Sequence, residues 1–236
     1  MTETVLLIPG LLSDGVVWEH QARALSARCD VRMADVTRDA SLDGMAQRVL
    51  DEVPGQLSVA GHSMGGRVAL EMVRIAPERI DRLALLDTGV GPRNETEHVS
   101  RLALVELGES EGMRTVAAEW LPPMVRHWDA EGSAELRATL TAMVERMNPT
   151  IHRAQIQALL DRTDAEPMLA AITCPVLVAV GDSDAWSPPR QHREMAARIP
   201  GAQLVIFPDS GHFSPIEAPE AVTAALVEWM TRTPQG

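Results

Sequence analysis

Short apolar strands alternate with amphipathic helices along most of this chain, and this alternation is the strongest constraint on its fold. Runs of β-branched and apolar residues predict strands buried on both faces at Val5–Ile8, Leu57–Gly61 and Val176–Gly181. Weaker strand signals lie at Val31–Ala34, Leu83–Leu86 and Leu204–Phe207. Between the strands, apolar residues recur at helical spacing over Val17–Leu25, Leu42–Val53, Arg67–Ile75, Arg190–Ile199 and Ala218–Met230. This order predicts an α/β fold with a mostly parallel, doubly wound sheet.

One long stretch, roughly from Gly91 to Glu166, interrupts the alternation. It contains no strand-like run, and its amphipathic helical patterns lie at Val99–Leu107, Arg114–Trp120, Ala134–Met147 and His152–Leu160. A helical block inserted between strands has to lie over one end of the sheet. We therefore predict a core formed by residues 1–90 and 167–236, with residues 91–166 inserted as a helical cap.

The basic residues exclude several kinds of chemistry. All 21 of them are arginine, and the 236 residues include no lysine and no tyrosine. A lysine Schiff base, a P-loop or kinase-type lysine, a Ser-Lys dyad and a tyrosine acid or base are therefore excluded. Proton transfer has to use His, Asp, Glu, Cys or Arg.

Charge and cysteine content bear on partners and location. A formal net charge of −12 repels nucleic acid and anionic membranes, so we expect neither as a partner. Cys29 and Cys174 lack metal-type spacing, and we expect both to be reduced in a cytoplasmic protein. The apolar run Val5–Leu12 is too short to span a bilayer and is broken by Pro9-Gly10, so we do not expect a signal peptide.

The strongest candidate motif for catalysis is Gly61-His62-Ser63-Met64-Gly65-Gly66, which directly follows a predicted strand and precedes a predicted helix. A serine on such a tight turn has an accessible hydroxyl, and flanking glycines relieve the crowding. The helix N-terminus behind the serine favours a developing negative charge. The position predicts that Ser63 is a nucleophile.

A serine nucleophile needs a base, and the base needs an orienting acid. His212 is the best candidate base, because it follows the strand signal Leu204–Phe207 and strand ends form the ligand crevice of α/β proteins. We expect the His62 side chain to point away from the site. The remaining histidines are expected at the surface, at His20, His98, His127, His152 and His192. Three acids qualify by position, namely Asp182, Asp184 and Asp87.

An oxyanion hole requires two donors near the nucleophile. The backbone N–H of Met64 is one candidate, and the N–H of Leu11, in the loop Pro9-Gly10-Leu11-Leu12, is the other. A simple turn would account for the Pro-Gly pair equally well.

Taken together, these motifs resemble the α/β-hydrolase family over essentially the whole chain. The resemblance rests on the order Ser63, Asp184, His212, on the acid loop Gly-Asp-Ser-Asp-Ala-Trp-Ser-Pro and on the histidine loop Ser-Gly-His-Phe-Ser-Pro. It implies a sheet of about six strands, and it selects Asp184 over Asp182 because the family acid usually stands three residues after the glycine. The chain has Pro9-Gly10 where family members often carry His-Gly.

The resemblance implies a serine hydrolase that cleaves a small carboxylic ester or lactone through an acyl-enzyme. No metal or organic cofactor is implied, and the natural substrate and oligomeric state stay open. Ser63 stands where dehalogenases carry aspartate, and the absence of lysine excludes plant-type hydroxynitrile lyases. We expect an apolar pocket that includes Leu12, Met64, Trp186 and Phe213.

Arg67 leads to an alternative function. It resembles the arginine that binds a substrate carboxylate in the menaquinone-pathway synthase of this fold, which would make the protein a lyase, synthase or C–C hydrolase with the same triad. A structural role accounts for Arg67 more simply, as a helix arginine paired with Glu71, four residues later, or with a nearby loop, and we favour that explanation. A non-catalytic ligand receptor on a hydrolase scaffold is a further alternative.

Overall fold

A six-stranded parallel sheet forms the centre of the computed structural model, which describes residues 3–93 and 95–233. The strands are β1 (Thr4–Ile8), β2 (Asp30–Met33), β3 (Leu57–His62), β4 (Ile80–Leu86), β5 (Val176–Gly181) and β6 (Gln203–Phe207). Their order across the sheet is β2-β1-β3-β4-β5-β6, and every neighbouring pair is parallel. The predicted α/β fold with about six mostly parallel strands is confirmed.

Helices flank this sheet. They are α1 (Glu19–Leu25), α2 (Leu42–Glu52), α3 (Met64–Ile75), α4 (Glu95–Glu111), α5 (Met113–Trp120), α6 (Ala134–Glu145), α7 (Pro149–Leu160), α8 (Pro189–Arg198), α9 (Ser214–Glu217) and α10 (Pro219–Met230). Short 3-10 helices lie at Gly15–Trp18, Pro77–Arg79, Pro122–Met124 and Glu166–Ala171. Helix α3 packs on β1, β3 and β4, and α10 packs on β4, β5 and β6.

Burial across the sheet follows the sequence pattern. Every residue of β3 and of β5 is buried, as expected for central parallel strands covered on both faces. The edge strands β2 and β6 are only partly buried. Since all strands run the same way, the carboxyl ends of β1, β3, β4, β5 and β6 meet at one edge, with Ile8 paired to Gly61 and Gly181 paired to Phe207.

Four helices, α4 to α7, occupy the segment between β4 and β5 where the sequence predicts a cap. Helix α4 packs on α5 and α7, and α5 packs on α6. Val116, Leu140, Met143 and Val144 are fully buried among these helices. The segment therefore has apolar packing of its own. No helix within the described ranges combines the length and apolar character needed to cross a bilayer.

Two histidines depart from the sequence prediction. His152 and His192, expected at the surface, are 1% and 0% exposed. His192 lies on the buried side of α8, three residues from the buried Met195, and its Nε2 accepts a hydrogen bond from Thr88 N–H at 3.0 Å. His152 lies on α7 close to Gly108 of α4. In both cases helix packing, rather than polarity, decides the burial.

Candidate active site

Ser63 forms a sharp turn between β3 and α3. Its φ and ψ of 53° and −117° are strained for a residue with a side chain. Neighbouring strand ends hold this conformation, since Ser63 N–H donates to Leu86 O at 2.9 Å and the Thr88 hydroxyl donates to Ser63 O at 2.7 Å. Helix α3 begins at Met64, three residues earlier than the sequence predicts.

Glycines around Ser63 allow close contact between backbones. A Cβ at Gly65 would lie 2.2 Å from Ile8 O, and one at Gly61 would lie 2.3 Å from Gly65 O. Both distances are too short for real atoms, so the first turn of α3 packs directly against the end of β1. This contact brings the loop after β1 next to Ser63.

His212 connects Ser63 to Asp184. Its Nε2 lies 2.8 Å from Ser63 Oγ, and its Nδ1 lies 2.8 Å from Asp184 Oδ2. His212 and Asp184 are each 2% exposed, whereas Ser63 is half-buried. In the neutral imidazole, Nδ1–H donates to the carboxylate and Nε2 accepts from the serine hydroxyl. The three residues selected from sequence therefore form one hydrogen-bonded chain.

Asp184 is held as an anion. Burial alone would raise its pKa, but the His212 ring and the N–H groups of Trp186 and Ser187 outweigh burial and lower the pKa. Those two N–H groups donate to Asp184 Oδ1 at 2.8 and 2.9 Å. The carboxylate is thus oriented by two main-chain donors and directed to the imidazole.

The other two candidate acids have different surroundings. Asp182 is exposed, and its carboxylate accepts hydrogen bonds from the Ser183 hydroxyl and Asp209 N–H. Asp87 is fully buried, accepts from Gly181 N–H at 3.0 Å and shares a short hydrogen bond with the Ser214 hydroxyl. Burial raises the pKa of Asp87 well above its usual range, and the charge of Asp184 raises it further.

His62 supports the main chain of His212. The sequence prediction that His62 points away from the site is wrong, because its Nε2 donates to His212 O at 2.7 Å and its ring lies 5.4 Å from the His212 ring. Burial, and to a smaller extent the neighbouring His212 charge, lowers the pKa of His62 to about 3. His62 is therefore neutral and can donate. The buried pattern of β3 was the signal that could have identified it.

Two main-chain donors lie beside Ser63. Met64 is the first residue of α3, where the N–H groups have no acceptor within the helix and the helix dipole is positive. Leu11 follows β1, and its N–H finds no acceptor within residues 3–93 and 95–233. A Cβ at Gly10, its neighbour, would lie 3.1 Å from Ser63 Cβ.

A cavity of about 680 Å³ opens over Ser63. Its apolar lining includes Leu11, Met64, Trp120, Met124, Leu159 and Trp186. Its arginine lining consists of Arg67, Arg101, Arg162, Arg190 and Arg198. The inserted helices contribute Arg101, Trp120 and Leu159, which sequence reasoning did not select because that segment carries no motif.

Two predicted pocket residues do not line this cavity. Leu12 is fully buried in the hydrophobic core. Phe213 is 1% exposed and packs against the rings of His62 and Trp120. The prediction for both residues is therefore wrong, since proximity to a site residue in sequence does not fix which way a side chain turns.

Of the two structural partners expected for Arg67, the structure shows the nearby loop and not Glu71, which pairs with Arg74 and accepts from the Thr163 hydroxyl. Arg67 Nη2 donates to Gly91 O at 2.8 Å, whereas its buried Nη1 has no partner among the described residues. Burial, and to a smaller extent the Arg162 charge, lowers the pKa of Arg67 to about 9. Arg67 therefore lines the cavity as a buried cation with an unused donor.

Arg101 and Arg162 lie in the same part of the cavity. Both pair with Glu97, Arg101 through its Nε at 2.8 Å and Arg162 through its Nη2 at 2.6 Å. The Arg101 guanidinium also lies 5.5 Å from the centre of the Trp186 ring. In the part of the chain that the structure describes, no three His, Cys, Asp or Glu side chains are grouped to hold a metal ion.

Comparison with known proteins agrees with this architecture. The family model described as alpha/beta hydrolase family matches residues 5–225. The pimeloyl-acyl-carrier-protein methyl ester esterase of Nitrosomonas europaea is 27% identical over 247 residues, covering 92% of this chain and 91% of that protein.

Two solved structures are similar throughout. A malate-bound thermophilic esterase from Thermogutta terrifontis has a TM-score of 0.86 and 29% identity, covering 97% of this chain and 89% of that one. An enol-lactonase from Burkholderia xenovorans LB400 has a TM-score of 0.88 and 24% identity, covering 98% and 92% of the two chains. At that identity the second likeness concerns the fold alone.

Proposed function

Because the chain belongs to the alpha/beta hydrolase family, we propose that it is a serine hydrolase that cleaves a small carboxylic ester or lactone. Ser63 is the nucleophile, His212 the general base and Asp184 the acid that orients the imidazole. The N–H groups of Leu11 and Met64 form the oxyanion hole. The observation that carries this proposal is the hydrogen-bonded chain from Ser63 Oγ through His212 to Asp184.

The reaction follows from this geometry. Ser63 Oγ attacks the carbonyl carbon while His212 Nε2 takes its proton, and Asp184 stabilises the imidazolium that forms. The two N–H groups stabilise the negative oxygen of the tetrahedral intermediate. His212 returns the proton to the departing alcohol, and a water molecule activated by the same imidazole then hydrolyses the acyl-enzyme. These steps require no metal ion or organic cofactor.

We propose that residues 91–166 act as a cap on a core of residues 1–90 and 167–236. Trp120, Met124 and Leu159 of this segment line the cavity over Ser63. Where these three apolar side chains line the cavity, they favour an apolar acyl or alcohol group and exclude water from the reacting carbonyl, whereas the arginines line the rest of it. The methyl ester esterase and the thermophilic esterase among the relatives support ester cleavage as the chemistry.

Labelling and turnover together test the function. A fluorophosphonate probe should label Ser63 of the wild-type protein, and a panel of esters, lactones and thioesters of varied acyl length should include substrates. Ser63→Ala should abolish labelling and lower kcat by about 10⁴-fold or more, since the nucleophile is lost. The exposed Ser26→Ala is the matched control and should keep both activities.

Absence of labelling and of turnover on the whole panel would contradict a serine hydrolase. Tight binding of one ligand without turnover would then favour the receptor alternative.

A lyase, synthase or C–C hydrolase that uses the same three residues on a substrate with a carboxylate is a second candidate. The observation that favours it is the buried Nη1 of Arg67, which has no partner among the described residues, on a side chain that lines the same cavity as Ser63. A substrate carboxylate would supply the acceptor that this nitrogen lacks and offset the cost of burying the guanidinium.

Paired esters test the role of Arg67. The substrates are p-nitrophenyl butyrate, which is neutral, and the mono-p-nitrophenyl ester of succinate, which carries a free carboxylate. Arg67→Met should lower kcat/KM for the anionic ester by about 10- to 100-fold and leave the neutral ester nearly unchanged, because a charged hydrogen bond is lost. Arg198→Met, which removes a half-exposed arginine at the same cavity, is the matched control.

Equal losses on both esters would count against a carboxylate subsite. For candidate natural substrates, turnover in ¹⁸O-labelled water separates hydrolysis from elimination, since hydrolysis places the label in the acid product and elimination does not. The second product separates the two hydrolases, because ester cleavage releases an alcohol and C–C cleavage does not.

A further inference from the structure

The loop after β1 contains a residue in an unfavourable backbone conformation. Leu12 has a φ of 52°, in the left-handed region that residues with a side chain seldom adopt. Such a conformation is unfavourable and persists only where surrounding contacts maintain it. The loop therefore needs partners beyond its own residues.

Gln155 of α7 supplies that partner from 143 positions further along the chain. Its Oε1 accepts a hydrogen bond from Leu12 N–H at 2.9 Å, and its Nε2 donates to Val36 O at 3.1 Å. The side chain is fully buried. Since Val36 O can only accept, the amide has one orientation, with its oxygen towards Leu12.

Other hydrogen bonds fix the peptide groups on both sides of Leu11. Ser13 N–H donates to Gly10 O at 3.3 Å, and the Ser13 hydroxyl donates to Leu11 O at 3.0 Å. Leu11 O and Leu12 N–H belong to the same peptide group, which is therefore held by Ser13 at one end and by Gln155 at the other. In this turn, as far as the described residues go, Leu11 N–H is left without an acceptor beside Ser63.

We propose that Gln155 is a positioning residue that holds this loop so that Leu11 N–H faces the oxyanion. The inference rests on the proposed function, in which Leu11 N–H is an oxyanion donor. Gln155 lies on α7 in the inserted segment, so a shift of α7 relative to the core would change the geometry of the oxyanion hole. The segment thus acts on the reaction itself as well as lining the cavity.

Gln155→Met tests the role, because methionine has a similar length and makes neither hydrogen bond. The expected result is a fall in kcat by about 10- to 100-fold with little change in KM, since an oxyanion donor acts on the transition state rather than on bound substrate. The preference for an oxygen ester over its thionoester should also fall, because a sulfur anion gains less from N–H donors. Gln157→Met, an exposed position on the same helix, is the matched control and should change neither value.

Two more variants separate positioning from folding. Gln155→Glu, assayed at a pH low enough to protonate the buried carboxyl group, accepts from Leu12 N–H through its carbonyl oxygen and donates to Val36 O through its hydroxyl. It should retain kcat within about threefold of the wild type at the same pH, because both bonds are preserved. Gln155→Asn is too short to reach both partners but keeps an amide in the buried position. It should lose kcat as Gln155→Met does, and it serves if the methionine protein does not fold.

The outcomes distinguish this inference from the proposed function. If the folded Met and Asn variants keep wild-type kcat while Ser63→Ala is inactive, the role of Gln155 is wrong and the serine hydrolase stands. An equal loss in the Glu variant also overturns the role. A wild-type protein without turnover overturns the proposed function and this inference with it.

Discussion

Two buried carboxyl groups lie at neighbouring strand ends, Asp87 after β4 and Asp184 after β5. They are 0% and 2% exposed, and each accepts main-chain hydrogen bonds. Asp184 contacts the His212 imidazole, whereas Asp87 accepts from Gly181 N–H and shares a hydrogen bond with the Ser214 hydroxyl. An imidazole also lies near Asp87, since His62 Nε2 is 3.8 Å from Asp87 Oδ2, but burial lowers the pKa of His62 to about 3 and keeps that ring neutral. The two positions therefore differ in whether the neighbouring imidazole is hydrogen-bonded to the carboxylate and able to take up a proton.

That difference decides the charge of each group. With His212 beside it, the pKa of Asp184 falls below its usual value despite burial. The neutral His62 gives Asp87 no such stabilisation, and burial together with the nearby negative charge of Asp184 raises the pKa of Asp87 well above its usual range. A strand-end position therefore does not by itself make an aspartate a catalytic acid.

Catalysis gives the largest expected contrast between the two groups. Asp184→Asn should lower kcat by about 10⁴-fold, because an amide neither stabilises the imidazolium nor favours the required tautomer. Asp87→Asn should lower kcat by less than about tenfold, because an amide has the shape and neutral charge of a protonated carboxyl group. Both values are measured on the best ester from the panel.

Circular dichroism of both variants provides the folding control. Equal losses of kcat, or the larger loss at Asp87, would show that the acid role is assigned to the wrong aspartate.

The sequence was sufficient to predict a site residue where the function requires a local sequence pattern. Ser63 could be selected because a strained turn between strand and helix requires glycines at fixed spacing, and the close contacts at Gly61 and Gly65 show why. His212 could be selected because a strand signal ends just before it. For Asp184, position left three candidates, and only the family resemblance chose among them.

Sequence was insufficient where long-range packing decides. Leu12 is turned into the core by a positive φ that Gln155 stabilises, and a contact 143 residues away leaves no local signal. His152 is buried where α7 packs close to Gly108 of α4. The amphipathic pattern of its helix does not distinguish this buried position from one on the surface. Sequence left Glu71 and a nearby loop open as partners of Arg67, and in the structure Arg67 donates to Gly91 O while Glu71 pairs with Arg74. Tertiary packing decides which of several equivalent partners a side chain contacts, and the local sequence does not show that packing.

Stability gives a smaller but opposite contrast between the two carboxyl groups. A raised pKa in the folded state means that Asp87 contributes stability below the unfolded pKa and loses it as pH rises towards the folded pKa. The free energy of unfolding of Asp87→Asn should therefore exceed that of the wild type at pH 8, and by more than at pH 5. The difference should grow by up to about 1.4 kcal/mol per pH unit over this range. Asp184, whose pKa is lowered, contributes stability above the unfolded pKa, so Asp184→Asn should be less stable at both pH values.

Urea unfolding of both variants at pH 5 and pH 8 measures these differences, with the exposed Asp129→Asn as the matched control. If the effect came only from removing a negative charge, the free energy of unfolding would change by the same amount in all three variants. If Asp87→Asn were destabilised increasingly from pH 5 to pH 8, the buried group would be ionised in the folded protein. The contrast with Asp184 would then have to come from geometry alone, since both carboxylates would carry the same charge.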